Sequence, residues 1–274
     1  MAIDARAAKK AGEAQPEPPA RPPIVAQARP LSPGAEAATA AFAALDFREA
    51  PAIGILGDRG SGKSTAMKFL IAEYQRRSVG LVLVCDDKDP RRPQFEGHMR
   101  GSVADCIGNP PTPPIRTVVF RGDVVAGTDV EPDTVASYGW KLATRGRPVL
   151  LVYDELAHDR LTTYGQWQSG ITWVPRCFSK GRSLQVGSLW GTQIVQNVPQ
   201  TAFDCSSHVL CFKLAGQGLA KLRERDYLGG DVEPVIASLK GEPHPPTERG
   251  EFVLLERGRP WNGKVYKFGV SAAS

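Results

Sequence analysis

Eight consecutive residues, Gly57-Asp58-Arg59-Gly60-Ser61-Gly62-Lys63-Ser64, combine three glycines with a lysine and a hydroxyl in the order G-x-x-x-x-G-K-[ST]. Glycines let a backbone curl until successive N–H groups converge on one anion. A helix that starts in the loop adds its positive N-terminal end. In that geometry Gly57 to Ser64, with Thr65 behind them, cradle a polyphosphate. Lys63 meets the β- and γ-phosphates, and the Ser64 hydroxyl is a ligand for Mg²⁺. A second set of groups follows an apolar run: Val149-Leu150-Leu151-Val152-Tyr153 ends in Asp154-Glu155. Asp154 suits the metal shell, and Glu155 suits the polarisation of an attacking water. A third run, Ser188-Leu189-Trp190-Gly191-Thr192-Gln193, ends in a polar residue able to touch both a γ-phosphate and that water. Taken singly, each has a plainer reading: a glycine-rich turn, a solvated acidic strand end, an exposed glutamine. Their order along one chain favours the chemical reading.

Such groups need a scaffold that delivers them to one edge. Ala52–Leu56 is a short apolar run closed by glycine, which predicts a buried strand before the phosphate loop. Ala66, Met67, Leu70, Ile71 and Tyr74 recur at helical spacing and predict a helix from about Gly62 to Arg77. Further buried strands are expected at Leu81–Cys85, Thr117–Phe120, Val149–Tyr153, Gln185–Thr192 and Val209–Leu214. Helices are expected at Pro132–Thr144, Gly218–Tyr227 and Val232–Leu239. A closing hairpin is expected from Glu251–Glu256 and Lys264–Phe268. Strands alternating with helices predict an α/β fold, a mostly parallel sheet with helices on both faces. Val149–Tyr153 is expected directly beside Ala52–Leu56, because both must present their C-terminal ends to one metal–nucleotide complex. Residues 86–116, rich in proline, glycine and charge, form a long excursion without an assigned role.

Composition sets the outer limits. The 274 residues are 42% hydrophobic and 23% charged, ordinary for a globular chain. No stretch approaches the ~18 apolar residues of a membrane helix, and no apolar run follows the early charges as in a secretory signal. Residues 1–45 form an Ala/Pro-rich segment, expected to be disordered to about Pro33 and partly helical over Ala35–Leu45. Residues 46–274 are the expected catalytic domain. The first fifty residues are charge-neutral, so the net +5 belongs to the remainder, a mild excess compatible with a polyanionic partner. The 5 cysteines and 4 histidines show no zinc spacing, and Cys85 and Cys211 read as buried thiols.

The succession of phosphate loop, Asp154-Glu155 strand, Lys180-Gly181-Arg182-Ser183, a strand ending in Thr192-Gln193, and then Val198-Pro199 resembles the FtsK–HerA superfamily of DNA-pumping ATPases. Residues 204–214 are similar to the strand that follows the glutamine strand there. Over about residues 50–256 the chain looks most like the genome-packaging ATPases of tailless, membrane-containing phages and related viruses. The resemblance implies a RecA-like (ASCE) P-loop NTPase fold, ATP and Mg²⁺ as ligands, and hydrolysis coupled to movement of double-stranded DNA. It also implies self-association into a ring, a hexamer, with capsid or portal proteins as further partners. The expected location is the host cytoplasm or a packaging vertex of the virion, without membrane insertion. The family's arginine that completes a neighbour's site falls on Arg182, with Arg176 second; a solvated loop residue would look the same. Arg160, Arg176, Lys180 and Arg182, interleaved with Tyr164, Trp167, Trp173 and Phe178, are a candidate DNA-contacting stretch. Buried packing of the tryptophans is the alternative. Arg91, Arg92 and Arg100 are a rival set. Other functions within reach are a plasmid or cellular DNA translocase, a phage assembly or secretion ATPase acting on protein, and a nucleotide-binding scaffold without turnover. Intact Lys63, Ser64, Asp154 and Glu155 argue against the last.

Overall fold

The fold is given by a computed structural model that describes residues 35–43, 45–77, 80–86, 94–100, 102–112, 114–121, 131–157, 161–225, 227–228, 232–240 and 250–268. The expected disorder before Pro33, and Arg91, Arg92 and Arg160, lie outside the described residues.

The strands are β1 (Ala35–Ala37), β2 (Ala52–Leu56), β3 (Leu81–Cys85), β4 (His98–Arg100), β5 (Thr117–Phe120), β6 (Val149–Tyr153), β7 (Thr162–Thr163), β8 (Gln166–Trp167), β9 (Val186–Thr192), β10 (His208–Cys211), β11 (Glu251–Glu256) and β12 (Val265–Lys267). The helices are α1 (Ala38–Ala43), α2 (Lys63–Arg77), α3 (Val103–Gly108), α4 (Pro132–Ala143), α5 (Trp173–Lys180), α6 (Gln200–Cys205), α7 (Gln217–Glu224) and α8 (Val232–Ser238). Ten strands form one sheet in the order β1-β12-β11-β10-β2-β9-β6-β3-β5-β4, and β7 and β8 make a separate small hairpin. From β10 to β4 all neighbours are parallel. β11 and β12 close one side as the expected antiparallel hairpin.

Alternation along the strands builds two cores. Leu81, Leu83 and Cys85 of β3 point into one, with Val149, Leu151, Trp190 and residues of α4 to α8. Val82 and Val84 point into the other, with Ala66, Met67, Leu70, Ile71 and Tyr74 of α2. Strands buried on both faces are continuous apolar runs, which makes them readable in the sequence. The second core also takes Ala38, Ala41 and Phe42, and β1 pairs with β12, so among the described residues the packing already includes Ala35–Ala43. Phe42 lies against Phe252 and Phe268, ring centroids 6.1 and 5.7 Å away, and these contacts draw the Ala-rich segment onto the sheet.

One expectation about the sheet is overturned. β6 is not beside β2: β9 lies between them, paired with both. Two strands can serve one ligand without being hydrogen-bonded neighbours. Adjacent strands are ~4.8 Å apart, so one intervening strand separates their ends by only ~10 Å. The inserted strand brings a third set of polar groups between the other two.

Candidate active site

β2, β9 and β6 run in the same direction, with Thr192 level with Leu56 and Trp190 level with Tyr153. Their C-terminal ends therefore release the phosphate loop, Gln193 and Asp154-Glu155 at one edge of the sheet, where ligands bind in open α/β folds. The loop turns through Gly60 (φ 73°) and Gly62 (φ 106°), values that side-chain-bearing residues rarely adopt. α2 then starts at Lys63, and an amphipathic face of Ala66, Met67, Leu70, Ile71 and Tyr74 fastens it to the sheet.

Lys63 is nearly buried, and its Nζ donates to the carbonyls of Gly57 and Asp58, both at 2.8 Å. The ammonium is thus held inside the loop it serves. Ser64 Oγ donates to Asp154 Oδ1 at 3.5 Å, joining the residue after the loop lysine to the acidic strand end. Thr192 Oγ1 donates to Glu155 Oε1, and the backbone N–H of Gln193 donates to Glu155 Oε2 at 3.1 Å. Leu156 N–H bonds Gly191 O at 2.8 Å and locks the β6 turn to β9. Burial pushes the Glu155 carboxyl above the usual carboxylate range, against the pull of Thr192, the Gln193 amide and Lys63. A carboxylate with a raised pKa is a stronger proton acceptor. The cleft above these groups, about 650 Å³, is lined by Arg59 to Thr65, Lys68, Gln94, Asp154 and Gln193.

The donor set fits a Mg²⁺-bound nucleoside triphosphate. Ser61 Oγ is buried beside the cleft without a hydrogen-bond partner among the described residues, a donor suited to a phosphate oxygen. Ser64 and Asp154 supply one hydroxyl and one carboxylate, the hard oxygen ligands Mg²⁺ takes when phosphates and waters complete its shell. Among the described residues no cluster of three or more His, Cys, Asp or Glu could hold a metal ion.

Of the residues singled out from the sequence, Gly57 to Thr65, Asp154, Glu155 and Gln193 come together here. Among the described residues, Lys180, Arg182 and Arg176 do not join them. Lys180 and Arg182 precede the start of β9, at the opposite end of the strand from Thr192. Seven strand residues put them ~20 Å away. Arg182 pairs there with Glu49, both largely exposed. The Arg176 guanidinium lies over both Trp140 and Trp173, 4.7 and 5.1 Å from their ring centroids. Trp167 packs against Phe178 at 5.8 Å, so this part of the aromatic series is packing. Tyr164 differs: it is 91% exposed at the tip of the β7–β8 hairpin. Lys68 and Gln94 line the cleft although no motif in the sequence marks them. Lys68 lies one helical turn beyond Ser64, a spacing that could have found it. Gln94 lies in the 86–116 excursion, with no local signal.

The fold and site define the chain as a RecA-like P-loop α/β protein. No protein-family model matches it, and no curated protein matches it. Solved structures share its fold. The genome packaging NTPase B204 from Sulfolobus turreted icosahedral virus 2, in complex with ATP-gammaS, is similar at TM-score 0.57 and 13% identity, covering 81% of this chain and 99% of that one. The sulfate complex of B204 gives TM-score 0.59 at 14% identity. VirB4 of Thermoanaerobacter pseudethanolicus is similar at TM-score 0.53 and 12% identity, over 81% of this chain and 89% of that one.

Proposed function

We propose that the chain hydrolyses ATP and uses the energy to move double-stranded DNA, as the packaging motor of a virus acting in a ring. The observation that carries hydrolysis is the meeting of Lys63, Ser64, Asp154 and Glu155 at one sheet edge, with Glu155 held on both oxygens. Mg²⁺ would be held by Ser64 and Asp154 and would neutralise charge on the β- and γ-phosphates. Lys63 places its ammonium at the same phosphates. Glu155, oriented by Thr192 and Gln193, accepts the proton of the water that attacks the γ-phosphorus. The Gln193 side chain, on the next residue of the same segment, senses whether the γ-phosphate is present. The likeness to a genome packaging NTPase along almost all of that protein supports DNA as the polymer moved. The net charge of +5 is compatible with it. Arg182 is proposed to act across a subunit interface, because its own cleft is out of reach. ATP turnover with and without double-stranded DNA tests the reading. Stimulation by DNA is expected. Turnover indifferent to DNA would instead point to a protein substrate.

A further inference from the structure

The 86–116 excursion carries no recognisable motif, yet one of its residues reaches the nucleotide cleft. Gln94 lines it beside Ser64, Asp154 and Gln193. Its Oε1 is buried and has no hydrogen-bond partner among the described residues. A buried acceptor left unmatched is disfavoured unless something occupies the site to donate to it.

The position is built. Phe95, the next residue, is 2% exposed in the core under α2. The Gln94 backbone N–H donates to Asp86 Oδ2 at 3.3 Å. That carboxylate oxygen also accepts from Arg121 Nη2 at 3.0 Å, in an ion pair almost wholly out of solvent. Asp86 N–H bonds Phe120 O, and Arg121 N–H bonds Arg100 O, so the pair is tied to both β5 and β4. Cys85 is level with Tyr153 across β3 and β6, which sets Asp86 alongside Asp154. Gln94 is therefore suspended next to the metal end of the cleft from a buried ion pair one strand away from Asp154. A buried ion pair of this kind adds little net stability. Its geometric effect is to fix where residue 94 stands.

We propose that Gln94 is a positioning residue for the Mg²⁺ of the bound nucleotide, its Oε1 accepting a hydrogen bond from a water of the metal's hydration shell. The inference rests on the nucleotide-site reading above. An amide oxygen suits this position, because it accepts from metal-bound water without adding a second negative charge beside Asp154. Mg²⁺ keeps several waters when it binds through few carboxylates, and those waters need partners.

The test is calorimetric titration of the full chain with a non-hydrolysable ATP analogue, in Mg²⁺ and again in EDTA. Gln94→Met keeps the side chain's length and removes the acceptor. It should weaken binding about tenfold in Mg²⁺, the loss typical of an outer-shell partner, and leave binding in EDTA unchanged. Gln94→Glu keeps an acceptor, although it adds a charge, and should bind in Mg²⁺ more tightly than Gln94→Met. Equal affinities of Gln94→Met and wild type in Mg²⁺ would overturn the proposal. So would an equal loss by Gln94→Met with and without metal, which marks a structural role. Weaker binding by Gln94→Glu than by Gln94→Met would mean that the amide nitrogen faces a phosphate, and would also overturn it. If the wild type fails to bind the analogue in either condition, the nucleotide-site reading falls first and takes this inference with it.

Discussion

Lys63 and Glu155 stand at the same edge of the sheet, and the proposed mechanism gives them different stages. Lys63 is held by two loop carbonyls and, in the proposed mechanism, meets phosphate charge on binding. Glu155 is held by β9 and, in the proposed mechanism, acts only when water attacks. Lys63→Ala should therefore lose nucleotide affinity in a titration. Glu155→Gln should keep it and lower turnover by ~10²-fold or more. The amide can still accept from the Gln193 N–H and donate to the Thr192 hydroxyl, so the site stays assembled. Equal loss of binding in both variants would contradict this division. A residue far from the cleft gives an independent check. His208, at the start of β10, has its pKa lowered from the usual 6.5 by burial, opposed by Glu256 and reinforced by Arg259. The unfolded chain then binds this proton more readily than the folded one. Its contribution is fully present above pH 6.5 and is lost as pH falls through the lower folded pKa. In urea unfolding, wild type should lose stability relative to His208→Gln between about pH 7.5 and 5.5. Parallel behaviour would count against it. The cleft residues are legible at this scale because each carries its chemistry in a short run. Gln94 is not, because a buried ion pair between the ends of two strands far apart in sequence puts it there.

At the scale of elements, two close approaches control the site. A Cβ on Gly250, just before β11, would come within 2.0 Å of the Ser61 carbonyl oxygen. Gly250→Ala should push the phosphate loop out of shape, destabilise the fold by ~1–3 kcal/mol and weaken nucleotide binding. Normal affinity with unchanged stability would show that the loop does not depend on β11. α5 has no capping side chain of its own. Asp133, in the first turn of α4, accepts instead from the N–H groups of Trp173 and Val174 at 2.7 and 2.8 Å, and from Thr172. Asp133→Ala should cost about 1–2 kcal/mol in chemical unfolding, and an unchanged midpoint would contradict the cap. Such a borrowed cap is invisible in a linear sequence. Long apolar runs and the amphipathic α2 announce themselves. α5 carries Pro175 near its start and takes its cap from another helix, so no local start signal exists. β4, β7 and β8 are two or three residues long, too short for periodicity. The order of strands is hidden for another reason. A run's composition says that it is buried on both sides, not which neighbours bury it.

At the scale of the whole molecule, Arg182 and the cleft face opposite ends of β9, so one subunit does not bring them together. If a ring brings a neighbour's Arg182 to the γ-phosphate, Arg182→Ala should lower the maximal rate ~10³-fold while affinity stays near normal. Mixing those subunits with Glu155→Gln subunits should recover activity at interfaces that pair an intact Glu155 with an intact Arg182. No recovery would remove the shared site. The central claim is that ATP hydrolysis at the Lys63–Glu155 cleft drives the chain along duplex DNA. Its most direct measure is displacement of a triplex-forming strand from double-stranded DNA. The wild type should release the strand with ATP, and neither a non-hydrolysable analogue nor Glu155→Gln should do so. Steady ATP hydrolysis with the triplex left intact would contradict the claim.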